Sequence, residues 1–174
     1  MGYSAISTSI ADFQLGVSSA LPSSMRTVVP NGVVSEVDDE NSRASVERKP
    51  DALAFVDGSL RLTYAQSYER ISALVAGFDE LGLMPGDHLV TLLQNRVEAA
   101  LIHWACQFAG IVVTPINWRA KADEVDYGIE NSEAKAAVFE DVSAEAVRAS
   151  TQAQSRKRIM LDDARNDEIP FASL

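Results

Sequence analysis

The chain has 174 residues, 47% of them hydrophobic and 23% charged, the composition of a globular protein long enough to bury a real core. A formal charge of −10, from 15 basic against 25 acidic side chains, argues against nucleic acid or an anionic membrane as a main partner, since both are polyanions. The single cysteine, Cys106, excludes an intramolecular disulfide framework, and no apolar run approaches the roughly 20 residues that span a bilayer. The first basic residue is Arg26, with no apolar block before it, so the N-terminus fits neither a secretory signal nor a transit peptide, and a cytoplasmic location is expected.

Residues 1–32 are rich in Ser, Thr and small residues without a sustained period and are expected to form a flexible leader. Residues 33–48, with Asp38, Asp39, Glu40, Glu47 and Arg48, read as a solvated helix stopped by Pro50. Ala52–Val56 and Leu60–Tyr64 flank Asp57-Gly58, a hairpin signal. Thr63 is then expected to cap a helix, with Gln66 as its reciprocal partner. Tyr68, Ile71, Val75, Phe78 and Leu81 form one apolar face of that helix, Gly82 ends it, and Pro85-Gly86-Asp87 turns the chain.

His88–Leu93 reads as a buried strand. Asn95 is expected to cap a helix over Arg96–Ala109 that is apolar nearly all round and so covered on most sides. Gly110 ends it and Ile111–Thr114 gives another buried strand. A helix over Lys121–Glu130, a strand over Lys135–Glu140, a helix over Ser143–Gln152 and a strand over Lys157–Leu161 follow. Strands alternating with helices imply βαβ units, hence an α/β fold with a mostly parallel sheet, flanking helices and an N-terminal β-hairpin.

A phosphate cradle needs clustered glycines between strand and helix, whereas the nine glycines here are scattered singly. Gly77 and Gly82 have the spacing of a Walker A loop, but Leu83 and Met84 stand where Lys and Ser or Thr belong. His103 and Cys106, three apart on a helix, lack the further ligands that zinc requires. Asp123, Glu124 and Asp126 suit a helix N-terminus without any catalytic role, and Asp162-Asp163 is the other acidic group. Arg119 has a more distinctive setting. It follows a buried strand and the turn Pro115–Trp118, at the end of a strand where open α/β sheets place ligands; its plain alternative is an exposed pair with Asp123 or Glu124.

In order, the chain carries Pro50-Asp51-Ala52-Leu53-Ala54, Leu62-Thr63-Tyr64-Ala65-Gln66, Leu81-Gly82, Pro85-Gly86-Asp87, Asn95, Glu98 and Ala105, and Gly110, Pro115-Ile116-Asn117 and Arg119. This succession resembles the N-terminal subdomain of the adenylate-forming enzymes, the AMP-dependent acyl-CoA synthetases and ligases, with residues 33–174 as part of their large N-terminal domain. Ser67 departs from the bulky apolar residue usual at its place. The resemblance implies ATP, Mg²⁺ and CoA as cofactors of the full-length family. It also implies a carboxylic acid substrate activated to an acyl-adenylate and then passed to CoA, as in fatty acid metabolism.

The family's phosphate loop, nucleotide contacts and catalytic lysine correspond to none of these 174 residues. The chain alone is therefore expected to be inactive, with no catalytic and no metal-binding residue. Arg119, and more weakly Lys121, become candidate CoA contacts. The expected partner is the missing C-terminal part of the ligase, or a second copy of the chain. Two alternatives are a stand-alone non-catalytic binding or regulatory module and a small flavodoxin-like nucleotide-binding domain.

Overall fold

The computed structural model describes residues 44 and 46–174; the expected leader, and all but the end of the helix expected over 33–48, lie outside the described residues. Residues 46–48 are helical, and the helix stops before Pro50. The chain divides into two compact units, one of residues up to Gly86 with Ala100–Ile111, the other of Asp87–Ala99 with Val112–Leu174.

In the first unit, β1 (Leu53–Asp57) and β2 (Leu60–Thr63) pair antiparallel. Asp57 pairs with Leu60, so the two-residue loop is Gly58-Ser59 and not the Asp57-Gly58 step itself. Gly58 alone carries the left-handed φ, +54°, which a residue with a Cβ resists. Helix α1 (Tyr64–Glu80) then opens on the expected capping box. Gln66 N–H donates to Thr63 Oγ1 at 3.2 Å, and Thr63 N–H donates to Gln66 Oε1 at 3.0 Å. Ile71, Leu74, Val75 and Phe78 are its buried stripe. Ser67 is buried with them, and its hydroxyl donates to the Thr63 carbonyl at 2.7 Å, which satisfies the one polar atom it brings inside.

Helix α2 (Val97–Ala109) starts one residue later than expected, so Arg96 stands just ahead of it. Only His103 among its residues is exposed, in agreement with its all-round apolar pattern. In the first unit, Phe108 meets Tyr68 edge to face at 6.1 Å.

The second unit holds a five-stranded sheet of β3 (His88–Leu92), β4 (Val112–Pro115), β5 (Ala136–Phe139), β6 (Lys157–Met160) and β7 (Ile169–Pro170). Their order is β4-β3-β5-β6-β7, and every neighbouring pair is parallel. Counted from β3, this is the 2-1-3-4-5 order of flavodoxin-like sheets. Helices α3 (Ala122–Ser132) and α4 (Asp141–Ala149) put Val125, Ile129, Ala144 and Val147 into one buried cluster with Val90, Leu92, Phe139 and Met160 of the strands. All four residues of β5 are buried, as the central strand of a parallel sheet requires.

Three helices end in the same way. Leu83 N–H donates to Phe78, Ile111 to Cys106 and Ala134 to Ile129, each reaching back over a left-handed residue. These are Schellman closures, and each places a buried apolar residue directly after the left-handed one. Glycine takes the left-handed position twice (Gly82 and Gly110), while Glu133 takes it at φ +54° without that freedom.

Candidate functional site: the carboxyl ends of the parallel strands

The sheet order decides where a site would lie. The chain leaves β3 toward β4 on one side and leaves β5 toward β6 on the other, so the topological switch point falls between β3 and β5. Open α/β sheets bind ligands in the crevice beyond this point, at the carboxyl ends of the strands. The residues arriving there are Gln94 and Arg96 after β3, Glu140 and Asp141 after β5, and Asp162 after β6.

These residues satisfy one another. Glu140 is buried, and its carboxylate accepts the Gln94 N–H on one oxygen and Arg96 Nη1 on the other, at 3.0 Å. The same Nη1 reaches Asp162 at 3.2 Å, and Arg96 Nε reaches Glu98 at 3.3 Å. Asp162 also accepts the Asp141 N–H at 2.9 Å. Ser143 accepts the Glu140 N–H at 3.3 Å and donates to the Leu92 carbonyl at 2.8 Å, tying β3 to the start of α4.

Burial pulls the Arg96 pKa down, but hydrogen bonds to Glu140 and Asp162 outweigh it and hold the guanidinium above its ordinary value. The Asp141 N–H, followed by Arg96, holds Asp162 below the usual carboxylate range. A carboxylate of the chain therefore sits where an anionic ligand would otherwise meet the donors of the crevice. The sequence placed no site here. The usable signal was that Arg96, Glu140 and Asp162 each lie within a few residues of the end of a buried parallel strand.

The loop after β4 is built differently. Ile116 N–H donates to Thr91 at 2.8 Å, continuing the ladder past Pro115. Asn117 then organises a turn: its Oδ1 accepts the Arg119 N–H at 3.0 Å, and its carbonyl accepts the Ala120 N–H at 2.9 Å. Ala120 is buried, and Lys121 N–H donates to Glu124 at 2.8 Å at the start of α3. That Glu124 bond is half of a capping box; an ammonium cannot accept the reciprocal bond. Between these pins Trp118 and Arg119 are the two central residues of the turn. The Arg119 Cζ lies 3.9 Å from the centre of the Trp118 ring.

Arg119 is exposed and carries no ion pair among the described residues, so the expected plain pairing with Asp123 or Glu124 is absent. Lys121 is exposed as well. Two cations thus stand in the same short loop beside an edge strand, with donors that a phosphate could use.

Other sequence candidates resolve into structure. Gly77 is buried inside α1 and Gly82 closes that helix, and the N–H groups of Leu81, Gly82 and Leu83 all return to helix carbonyls. A phosphate finds no free donors there, so these residues do not fit an ATP cradle. Cys106 is fully buried and burial pushes its thiol up to about 12, whereas His103 is exposed, so the two share no ligand face. No group of three or more metal-binding side chains occurs among the described residues. Asp126 accepts from Ser150 Oγ at 2.6 Å and from the Gln152 N–H at 2.8 Å, an anchor between α3 and the segment after α4. No helix among the described residues is long and apolar enough to cross a membrane.

Comparison with known proteins extends this geometry. A 2-succinylbenzoate–CoA ligase of Bacillus licheniformis is 29% identical over 124 residues, covering 71% of this chain and 25% of its own length. A fatty acyl CoA synthetase structure from Mycobacterium tuberculosis superposes with a TM-score of 0.64 at 28% identity, over 70% of this chain and 26% of that one. A benzoate CoA ligase from Burkholderia xenovorans LB400 has the same fold here, with a TM-score of 0.68 at 17% identity, over 76% of this chain and 26% of that one. The chain thus spans about a quarter of the length of these relatives. The family described as AMP-binding enzyme matches residues 42–173, and the chain belongs to that family of adenylate-forming ligases.

Proposed function

We propose that residues 33–174, preceded by a leader over 1–32, form the first α/β portion of the large domain of an acyl- or aryl-CoA ligase in the cytoplasm. In this reading the complete enzyme joins a carboxylic acid to CoA through an acyl-adenylate. The observation that carries it is the family match over residues 42–173. ATP and Mg²⁺ fall to other parts of the ligase, because the glycine turns among the described residues offer no free cradle of N–H groups. Arg119, with Lys121 beside it, contacts a phosphate of CoA. Supporting this are the exposure of both cations and the absence, among the described residues, of any carboxylate on the Arg119 guanidinium.

The flavodoxin-like alternative has the sheet order in its favour, but Glu140 and Arg96 already close the switch point on which such a nucleotide site depends. The proposed partner is the remainder of the ligase, or a second copy of the chain in its absence.

The 174-residue chain alone then forms no adenylate, since its described residues hold no cradle of free N–H groups to stabilise charge on the transferring phosphates. ATP–pyrophosphate exchange with a panel of carboxylic acids is expected at background. Acid-dependent exchange clearly above it would overturn this reading.

A further inference from the structure

We propose that Trp118 is a positioning residue for CoA binding, holding the Arg119 guanidinium ready to receive a phosphate; this rests on the CoA role proposed for Arg119. The guanidinium lies over the indole ring, with Arg119 Cζ 3.9 Å from the ring centre, close enough for the planar cation to pack by its face. A stack of this kind engages the face of the guanidinium. Its N–H donors lie around the edge, in the plane, and stay available.

A carboxylate partner would do the opposite and occupy that edge. Arg96 shows this, with Nη1 on Glu140 and Asp162 and Nε on Glu98. Trp118 thus supplies a kind of partner that orders an exposed arginine without taking its phosphate-binding edge.

The backbone beneath the pair supports the same purpose. Trp118 and Arg119 are the central residues of a turn whose preceding Asn117 accepts two N–H groups, from Arg119 and Ala120. Ile116 before the turn is tied to Thr91, and buried Ala120 and the capped Lys121 N–H follow it. Neither the turn nor the stack leaves the cation free to wander, so less conformational freedom is lost when an anion binds.

The test uses the complete ligase containing this segment and measures its two half-reactions separately. Trp118→Ala is expected to raise the KM for CoA about two- to fivefold, with kcat and acid-dependent pyrophosphate exchange close to wild type. Trp118→Phe, which retains an aromatic face, should restore most of the loss. Intact exchange in the same preparation shows that each variant is folded.

If Arg119→Ala raises the KM for CoA but Trp118→Ala leaves it unchanged, the positioning role is overturned while the CoA contact stands. If Arg119→Ala itself leaves the CoA dependence unchanged, the CoA contact fails and the role of Trp118 fails with it. A loss with Trp118→Ala that Trp118→Phe does not relieve would also overturn the stacking mechanism.

Discussion

Arg96 and Arg119 follow neighbouring parallel strands at the same end of one sheet, yet their guanidinium groups meet different surroundings. Arg96 lies at the switch point among Glu98, buried Glu140 and Asp162, and its edge is filled by carboxylates. Arg119 lies past the edge strand β4, on the face of an indole, with no carboxylate on it among the described residues. Position at a strand's carboxyl end therefore does not make an arginine a ligand contact. The two differ in whether the edge of the guanidinium is already taken by carboxylates.

The largest effect should come from breaking the first of these sites. Arg96→Ala leaves the Glu140 carboxylate, only 4% exposed, without its cationic partner. Loss of a partner from a fully buried pair costs about 3–5 kcal/mol, and with Arg96 itself 29% exposed we expect about 2–3 kcal/mol of folding stability. Urea unfolding of the chain would measure it. A loss below about 0.5 kcal/mol, the range of an ordinary surface substitution, would show that the clamp does not hold the switch point together.

Arg119→Ala should show the reverse pattern. Stability should change by well under about 1 kcal/mol, as for other exposed groups. In the complete ligase, loss of a charge-assisted phosphate contact should weaken CoA use by about 1.5–3 kcal/mol, or roughly ten- to a hundredfold, with adenylate formation nearly unchanged. Lys121→Ala should follow the same pattern more weakly, because a flexible ammonium binds phosphate as a point charge. Steady-state kinetics on both half-reactions separates these outcomes.

The smallest expected effect is on pH dependence, and it sharpens the contrast. Asp162 has its pKa lowered in the folded state by the Asp141 N–H and Arg96. A depressed carboxylate contributes stability that is fully present above its unfolded pKa and is lost as the pH falls through the folded one. Acid should therefore loosen the Arg96 clamp, starting below the ordinary aspartate pKa of about 3.9. Asp162→Asn should flatten that part of the stability curve. The turn that carries Arg119 is closed by the Asn117 side-chain amide, which does not titrate, so Asn117→Ala should lower stability without changing its pH profile. An unaltered acid limb in Asp162→Asn would remove Asp162 from the clamp.

Much of the fold was legible because it is written in local signals. The Thr63–Gln66 capping box, the glycine closures at Gly82 and Gly110 and the buried strands β3, β5 and β6 each depend on neighbours within a few residues, and all are present; β4, expected buried as well, is an edge strand with Val112 and Pro115 exposed. The hairpin shows the limit of such signals. Asp57-Gly58 marked the turn, yet cross-strand pairing of Asp57 with Leu60 moved the loop on by one residue. The closure at Glu133 was hidden for a related reason, since no glycine marks the left-handed position there.

The sequence by itself determined the α/β alternation, the family and the prominence of Arg119, because periodicity, caps and turn residues act along the chain. Only the tertiary structure decided the strand order, and with it which charged residues meet. Arg96, Glu140 and Asp162 are separated by 44 and 22 positions, and no local pattern pairs them. They converge because β3, β5 and β6 lie side by side and parallel, so their carboxyl ends share one rim. The same placement left the loop after β4 at the edge of the sheet, where the nearest partner for an arginine is the tryptophan beside it.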